Sequence, residues 1–282
     1  MKIGFVTDST CDLPGSIVEQ HDLEVVPCIL VMDGKEYVDG IDITREEFYK
    51  QLASLPSSTP ITTAAPSIGT FGSRYETLLA RGCDHILSIH AAGALTSIID
   101  SARQAAQDFN ERITVIDSTS LTLGLGFQVL AAVEAAESGL QATIQAIEST
   151  RQRLDIYAAL STMENLKRSG RVPGVIAALG SLLSIKPLIR LKDSEVKAIS
   201  AVRTPSQGNE KILDLLLQQG MLERLAILHT GAESRAREFL NLVMQKASQM
   251  VPRDILMVNV TTVIGTHVGP NGLGFAAIRA GR

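Results

Sequence analysis

Residues 86–102 read Ile-Leu-Ser-Ile-His-Ala-Ala-Gly-Ala-Leu-Thr-Ser-Ile-Ile-Asp-Ser-Ala, and this stretch decides the fold class. Its start, Ile86–Ile89, is a short apolar run of the kind a buried strand needs. Ala91–Ala94 carries almost no side chain and suits a turn in which backbone approaches a partner closely. Thr96 or Ser97 is placed to cap a helix whose apolar members Ile98, Ile99, Ala102 and Ala105 recur at helical spacing. Unpaired N–H groups, the positive end of a helix dipole and one or two hydroxyls then meet at one point, which suits an anion. Most strand-to-helix turns share these features without holding anything, so the stretch by itself marks a candidate only.

The pattern recurs on both sides. Lys2–Thr7 reads as a strand that ends in Asp8-Ser9-Thr10-Cys11-Asp12-Leu13-Pro14, and Ile113–Ile116 as one that ends in Asp117-Ser118-Thr119-Ser120. Polar residues at the carboxyl ends of parallel strands lie where α/β proteins place ligands. Asp8-Ser9-Thr10 also has a plainer use, hydrogen bonds that fix the turn. Between them the spacing predicts a helix over Gly15–Gln20 and one strand over Glu24–Met32, turned into a hairpin at Asp33-Gly34. A capping box at Thr44–Glu47 opens a helix to about Leu55. Pro56–Pro66 is rich in turns and hydroxyls (Ser57, Ser58, Thr59, Thr62, Thr63), and Pro60 and Pro66 deny it a helix. Ser67 caps a helix to about Gly82, and Leu121–Ser138 and Gln141–Arg153 read as two more.

Past residue 154 the alternation changes. Strand Ile156–Ser161, helices Met163–Arg168 and Val175–Leu183, and an antiparallel hairpin of Lys186–Leu191 with Glu195–Val202 come first. Helix Ser206–Gln219, strand Arg224–His229, helix Glu233–Gln249 and strand Ile255–Val263 follow. A loop with Gly265, His267, Gly269, Pro270, Asn271, Gly272 and Gly274 precedes a last strand. The expected architecture is an N-terminal α/β domain with a parallel sheet over 1–153, then an α+β domain with a largely antiparallel sheet over 154–282.

Composition removes several function classes. Apolar residues are 45% and charged residues 20%, ample for a core, while 26 basic against 30 acidic residues leave a net charge of −4. Neither a basic face nor interleaved aromatics are present, so nucleic acid is not an expected partner. Cys11, Cys28 and Cys83 lie far apart, which speaks against a disulfide framework or a zinc site and for a reducing compartment. No signal-peptide h-region precedes the first strand, and no apolar run is long enough to span a bilayer. A soluble cytoplasmic protein is expected.

Motifs for chemistry are scarce. There is no Gly-x-x-x-x-Gly-Lys, no Gly-x-Gly-x-x-Gly and no Gly-x-Ser-x-Gly. The histidines show no metal-ligand spacing, and no metal or cofactor is expected. His90 and His229 each end an apolar run and read as satisfied strand-end histidines. His267 differs, being a large polar side chain among glycines. Lys167-Arg168-Ser169-Gly170-Arg171 is a basic cluster at a helix end, and Arg203 follows a strand.

Taken in order, these motifs resemble the DegV family. Thr7-Asp8-Ser9-Thr10-x-Asp12-Leu13 resembles the family's opening. The likeness continues through Val38-Asp39-x-x-Asp42-Ile43-Thr44, Thr63-x-x-Pro66-Ser67, Val115-Ile116-Asp117-Ser118 and Leu123-Gly124-Leu125-Gly126. Leu166-Lys167-x-x-Gly170-Arg171, Ile185-Lys186-Pro187, Arg203-Thr204 and Thr266-His267-x-Gly269-Pro270-x-Gly272-x-Gly274 complete it. The resemblance implies a two-domain, non-catalytic protein that holds one long-chain fatty acid between its domains. It also implies presentation of the carboxylate to a separate ATP-dependent kinase subunit that makes an acyl phosphate. By position, the family's head-group threonine matches Thr63, its head-group serine falls on Thr96, and its carboxylate-network histidine matches His267, with Thr62 and Ser97 beside them. The family's arginine for docking to a partner or, transiently, to a membrane surface matches Arg203, and Arg171 of the basic cluster joins it. The usual Thr-Ser-Gln-Pro reads Thr63-Ala64-Ala65-Pro66, and the usual Ser-Ser-Gly-Leu-Ser-Gly-Thr reads Ala92-Gly93-Ala94-Leu95-Thr96-Ser97-Ile98. The runner-up is a small-molecule phosphotransferase or hydrolase using the same interdomain cleft.

Overall fold

A computed structural model describes residues 1–56, 59–179 and 185–281. Ile3–Asp8 (β1), Glu24–Val26 (β2), Ile29–Met32 (β3), Lys35–Val38 (β4), Ile61–Ala64 (β5), His85–His90 (β6) and Ile113–Asp117 (β7) are the strands of the first half. Leu154–Ala159 (β8), Lys186–Lys192 (β9), Glu195–Val202 (β10), Leu222–His229 (β11), Ile255–Asn259 (β12) and Leu273–Arg279 (β13) are those of the second.

β2, β1, β6 and β7 lie side by side in that order, all parallel. Parallel neighbours need crossover connections, and helices Ile68–Ala80 and Ile98–Ala106 supply those around β6. A parallel sheet covered on both faces buries successive residues, as Ile86, Leu87, Ser88 and Ile89 are. The second half builds a six-stranded sheet in the order β10-β9-β8-β13-β11-β12, antiparallel except between β11 and β12. The fold is therefore α/β with a parallel sheet followed by a separate, largely antiparallel one, as the sequence predicts.

Four local expectations need correction. Glu24–Met32 is not one strand, because Pro27, which has no N–H to donate, separates β2 from β3, and the two join different sheets. The hydroxyl-rich segment before Pro66 is not all turn. Its residues Ile61–Ala64 form β5, the edge of a small antiparallel sheet ordered β4-β3-β5, between flanking prolines that an edge position tolerates. Ser57 and Ser58 fall outside the described residues. So do residues 180–183 of the expected apolar helix, which is described over Pro173–Leu179.

The other two bear on the site. Thr96 and Ser97 cap nothing with their side chains, for the helix Ile98–Ala106 has Ser97 at its N-cap with no side-chain bond. The preceding turn closes through backbone instead, Leu95 and Thr96 N–H both donating to Ala92 O at 2.9 and 3.2 Å. Last, the chain after β12 is not strand and loop: Thr262–Val268 is a helix and His267 sits in its last turn. Gly265 stands inside it because a Cβ there would lie 2.3 Å from Tyr49 Oη. A helix crossing packed side chains this closely tolerates only glycine at the crossing, at a cost in helix propensity.

Candidate functional site

The carboxyl ends of β1, β6 and β7 face one side of the six-stranded sheet, and an apolar cavity of about 170 Å³ lies between them. Alternate residues of the sheet line it, Ile156 with Ala158 and Ile189 with Leu191, as the two-residue period of a strand requires. Thr10 after β1, Thr96 after β6 and Thr122 after β7 line it from the parallel sheet. Val263, Ile264, His267 and Val268 close it with one face of their helix.

Thr63 and His267 meet at the wall, Thr63 Oγ1 lying 3.0 Å from His267 Nε2. Burial holds the His267 imidazole down to about 4, and the Arg171 guanidinium acts in the same direction. The ring is therefore neutral near pH 7, with one nitrogen donating and the other accepting. Its Nδ1 is buried without a protein partner among the described residues. A polar cleft of about 470 Å³ adjoins on the far side and shares Ser169, Arg171 and His267 with the cavity. The Thr63–His267 pair thus stands where apolar space meets polar space, the geometry that orients an amphiphile.

Of the residues singled out from sequence, Thr63, Thr96, His267 and Arg171 line the cavity. Thr62 is exposed and lines the polar cleft instead. Ser97 is exposed and lines neither, and Arg203 is likewise exposed, its backbone N–H donating to Gln207 Oε1 at 3.1 Å.

Sequence reasoning missed the framework behind these groups. Asp12 is fully buried, accepts from Thr261 N–H at 2.8 Å and pairs with Arg45 at 3.2 Å. Burial pushes the Asp12 carboxyl up to about 6 although Arg45 opposes the shift. Asp39 accepts from the hydroxyls of Thr261 and Thr262 at 2.5 and 2.7 Å, and Arg45 donates to Asn259 O at 2.7 Å. These contacts hold the start of the helix that carries His267. The aspartates stand in the quoted motifs, but only contact across more than 200 residues of chain reveals what they bind.

His90 is satisfied, donating or accepting at both nitrogens. Nδ1 lies 3.0 Å from Asp8 Oδ2 and Nε2 2.6 Å from Ser88 Oγ, which in turn is 2.8 Å from Tyr75 Oη. An Asp–His–Ser line of this kind resembles a hydrolytic relay. All three members are fully buried and none lines either cavity, so a substrate has no approach to the Ser88 hydroxyl. His229 lines the apolar cavity, its Nδ1 accepting from Ala232 N–H at 3.2 Å.

A parallel and a largely antiparallel sheet enclosing an apolar cavity with a hydroxyl–imidazole pair at its polar end define the class of protein. The chain belongs to the DegV family of uncharacterised proteins, whose model matches residues 2–280. A DegV domain-containing protein of Staphylococcus aureus is 30% identical over 280 residues, covering 97% of this chain and 98% of the relative. Among solved structures, a DegV family protein from Thermus thermophilus, described as fatty-acid binding, superposes with a TM-score of 0.90 at 33% identity, over 99% of this chain and 100% of that one. DegV of Bacillus subtilis, described as a fatty acid binding protein, gives 0.86 at 27% identity over 99% of this chain and 100% of that one. Among the described residues no helix is long and apolar enough to cross a membrane.

Proposed function

We propose that this protein binds one long-chain fatty acid, its chain in the apolar cavity and its carboxylate at Thr63, Thr96 and His267. The observation that carries the reading is the Thr63–His267 pair at the polar end of an aliphatic cavity, in a chain 33% identical to a fatty-acid-binding relative. The energetics suit a carrier. Burying about fifteen methylenes yields roughly 12 kcal/mol gross at about 0.8 kcal/mol each. Each hydrogen bond to a charged head group adds only about 1.5–3 kcal/mol net. The tail supplies affinity; the hydroxyls and the imidazole set orientation.

On this reading the ligand lies between two domains, 1–153 and 154–282, of a cytoplasmic protein without a catalytic step of its own. The carboxylate faces the polar cleft, from which a separate ATP-dependent kinase subunit reaches it. Arg203 and Arg171, both exposed, serve docking to that partner or, transiently, to a membrane surface. The phosphotransferase or hydrolase reading has less support, since the chain lacks a phosphate loop and the Asp8–His90–Ser88 line is sealed in the core. Mass spectrometry of an organic extract of the purified protein tests the proposal. Fatty acid near one per chain is the expected result; a clean protein that also refuses added fatty acid would sink it.

A further inference from the structure

The five-residue loop Asp8–Asp12 bonds, with a different side chain each time, to the backbone beside each head-group residue: the turn before Thr96, the residue before the strand that pairs with Thr63, and the residue before the helix that bears His267. Asp8 Oδ2 accepts from Ala91 N–H at 3.1 Å, at the start of the small-residue turn that ends at Thr96. Ser9 Oγ accepts from Cys28 N–H at 3.2 Å, one residue before β3, and β3 pairs Leu30 with Thr63 of β5. Asp12 Oδ1 accepts from Thr261 N–H at 2.8 Å, directly before the helix that bears His267.

The loop itself is rigid. Asp8 Oδ1 accepts from both the N–H and the hydroxyl of Thr10, at 3.1 and 2.5 Å, and caps a single turn over Ser9–Cys11. Asp12 takes a left-handed conformation, φ 58°, that ends the turn and aims its carboxylate at Thr261. The helix Leu123–Ala135 presses on the loop from behind, so closely that a Cβ on Gly126 would fall 2.6 Å from Cys11 O. Asp8 and Asp12 are both fully buried, and low surrounding polarity strengthens each bond they make.

We infer that Asp8, Ser9 and Asp12 are positioning residues of the head-group site, Asp8 acting through Thr96, Ser9 through Thr63 and Asp12 through His267. The inference rests on the fatty-acid reading. Its physical basis is that three side chains from distant parts of the chain must agree in position to well under an ångström. One stiff loop bonded to all three supporting elements provides a common origin.

The test measures hexadecanoic acid and methyl hexadecanoate against the full-length protein and variants. Asp8→Asn, Ser9→Ala and Asp12→Asn should each weaken the acid by about tenfold, the effect of one impaired bond to a charged group, and the ester by far less. Residues acting through a specific partner give non-additive pairs. Asp8→Asn should therefore add little to Thr96→Val, Ser9→Ala little to Thr63→Val, and Asp12→Asn little to His267→Gln, whereas crossed pairs add fully. Equal losses for acid and ester, or additivity within the matched pairs, would overturn the inference. The imidazole ¹⁵N resonances of His267 in the ligand-free protein give a reading independent of lipid. The Thr63 bond should be disturbed by Ser9→Ala and Asp12→Asn and unaffected by Asp8→Asn; the reverse pattern would refute the assignment. If a buried aspartate variant fails to fold, Ser9→Ala, which removes only a part-buried bond, still tests the arm that runs through Thr63, and additivity with Thr63→Val would overturn the inference. Wild-type protein that takes up neither ligand would instead defeat the fatty-acid reading, leaving the resonances to judge the positioning.

Discussion

Thr63 Oγ1 lies 3.0 Å from His267 Nε2 across 204 residues of sequence, joining the edge strand β5 to the helix Thr262–Val268. Burial holds His267 near 4, so near pH 7 the ring is neutral and its Nε2 can either donate to or accept from the Thr63 hydroxyl. An unfolded histidine titrates at about 6.5. Between those values the unfolded chain binds more protons than the folded one, so His267 contributes stability that is complete above about 6.5 and is lost as pH falls towards 4. Asp12 runs the other way. Its folded value of about 6 exceeds the ordinary 3.8, so the folded chain holds more protons in that window and gains stability as pH falls. His267→Gln should therefore be more stabilised by acidification than wild type, and Asp12→Asn less. Between about pH 7 and about pH 4.5, urea unfolding should move each variant from wild type by about 2 kcal/mol in opposite directions, and so separate the two by about 4 kcal/mol. Parallel pH profiles for the two would refute the assignment of either group.

Thr96→Val keeps volume and β-branching and removes the hydroxyl from the cavity wall. Binding of a long-chain acid should weaken by about 1–3 kcal/mol, the range for a lost partner to a charged group. Binding of the methyl ester should hardly change. Equal losses for both ligands would mean that Thr96 only shapes the cavity and that the carboxylate lies elsewhere.

Arg45→Met leaves the Asp12 carboxylate, fully buried and 3.2 Å from the guanidinium in the native protein, without its counter-charge. Removing one member of a buried pair costs about 3–5 kcal/mol. Arg45 is partly exposed, so a loss of about 3 kcal/mol is expected in denaturant unfolding at neutral pH. Acidification should restore part of it by protonating Asp12. A loss that did not shrink on acidification would place the cost in the Asn259 carbonyl contact instead.

Gly265→Ala puts a methyl group 2.3 Å from Tyr49 Oη, whose hydroxyl donates to Val260 O at 2.9 Å. In an open helix this exchange stabilises by up to about 1 kcal/mol. Here it should destabilise, by about 1–3 kcal/mol, and displace the helix that carries His267. Calorimetry reads the first effect and the His267 ¹⁵N resonances the second. A raised Tm with unchanged resonances would contradict the packing described.

Arg203→Ala should leave fatty-acid binding intact, because Arg203 is exposed and lines neither cavity. Retention on anionic vesicles, or turnover with a kinase subunit, should fall. Abolished acyl binding would move the residue into the pocket.

Much of the chain's local structure is determined by nearest neighbours and was legible without coordinates. The strand–turn–helix unit around Ile86–Ala102, the Thr44 capping box and the β9–β10 hairpin follow from periodicity, capping and turn chemistry acting within a few residues. The fold class follows from the same periodicity, while the candidacy of Thr63, Thr96 and His267 comes from the resemblance of the ordered motifs to the DegV family. Tertiary structure decided the rest. Whether Thr262–Val268 is a strand end or a helix is ambiguous in an apolar run with one glycine, and Tyr49, Asp12 and Asp39 settle it from more than 200 residues away. The same holds for Ile61–Ala64, a strand only because β3 offers it an edge. Local sequence specifies which dihedral angles are cheap. It does not specify which distant side chain will occupy the space beside them, and at Thr63 and His267 that choice makes the site.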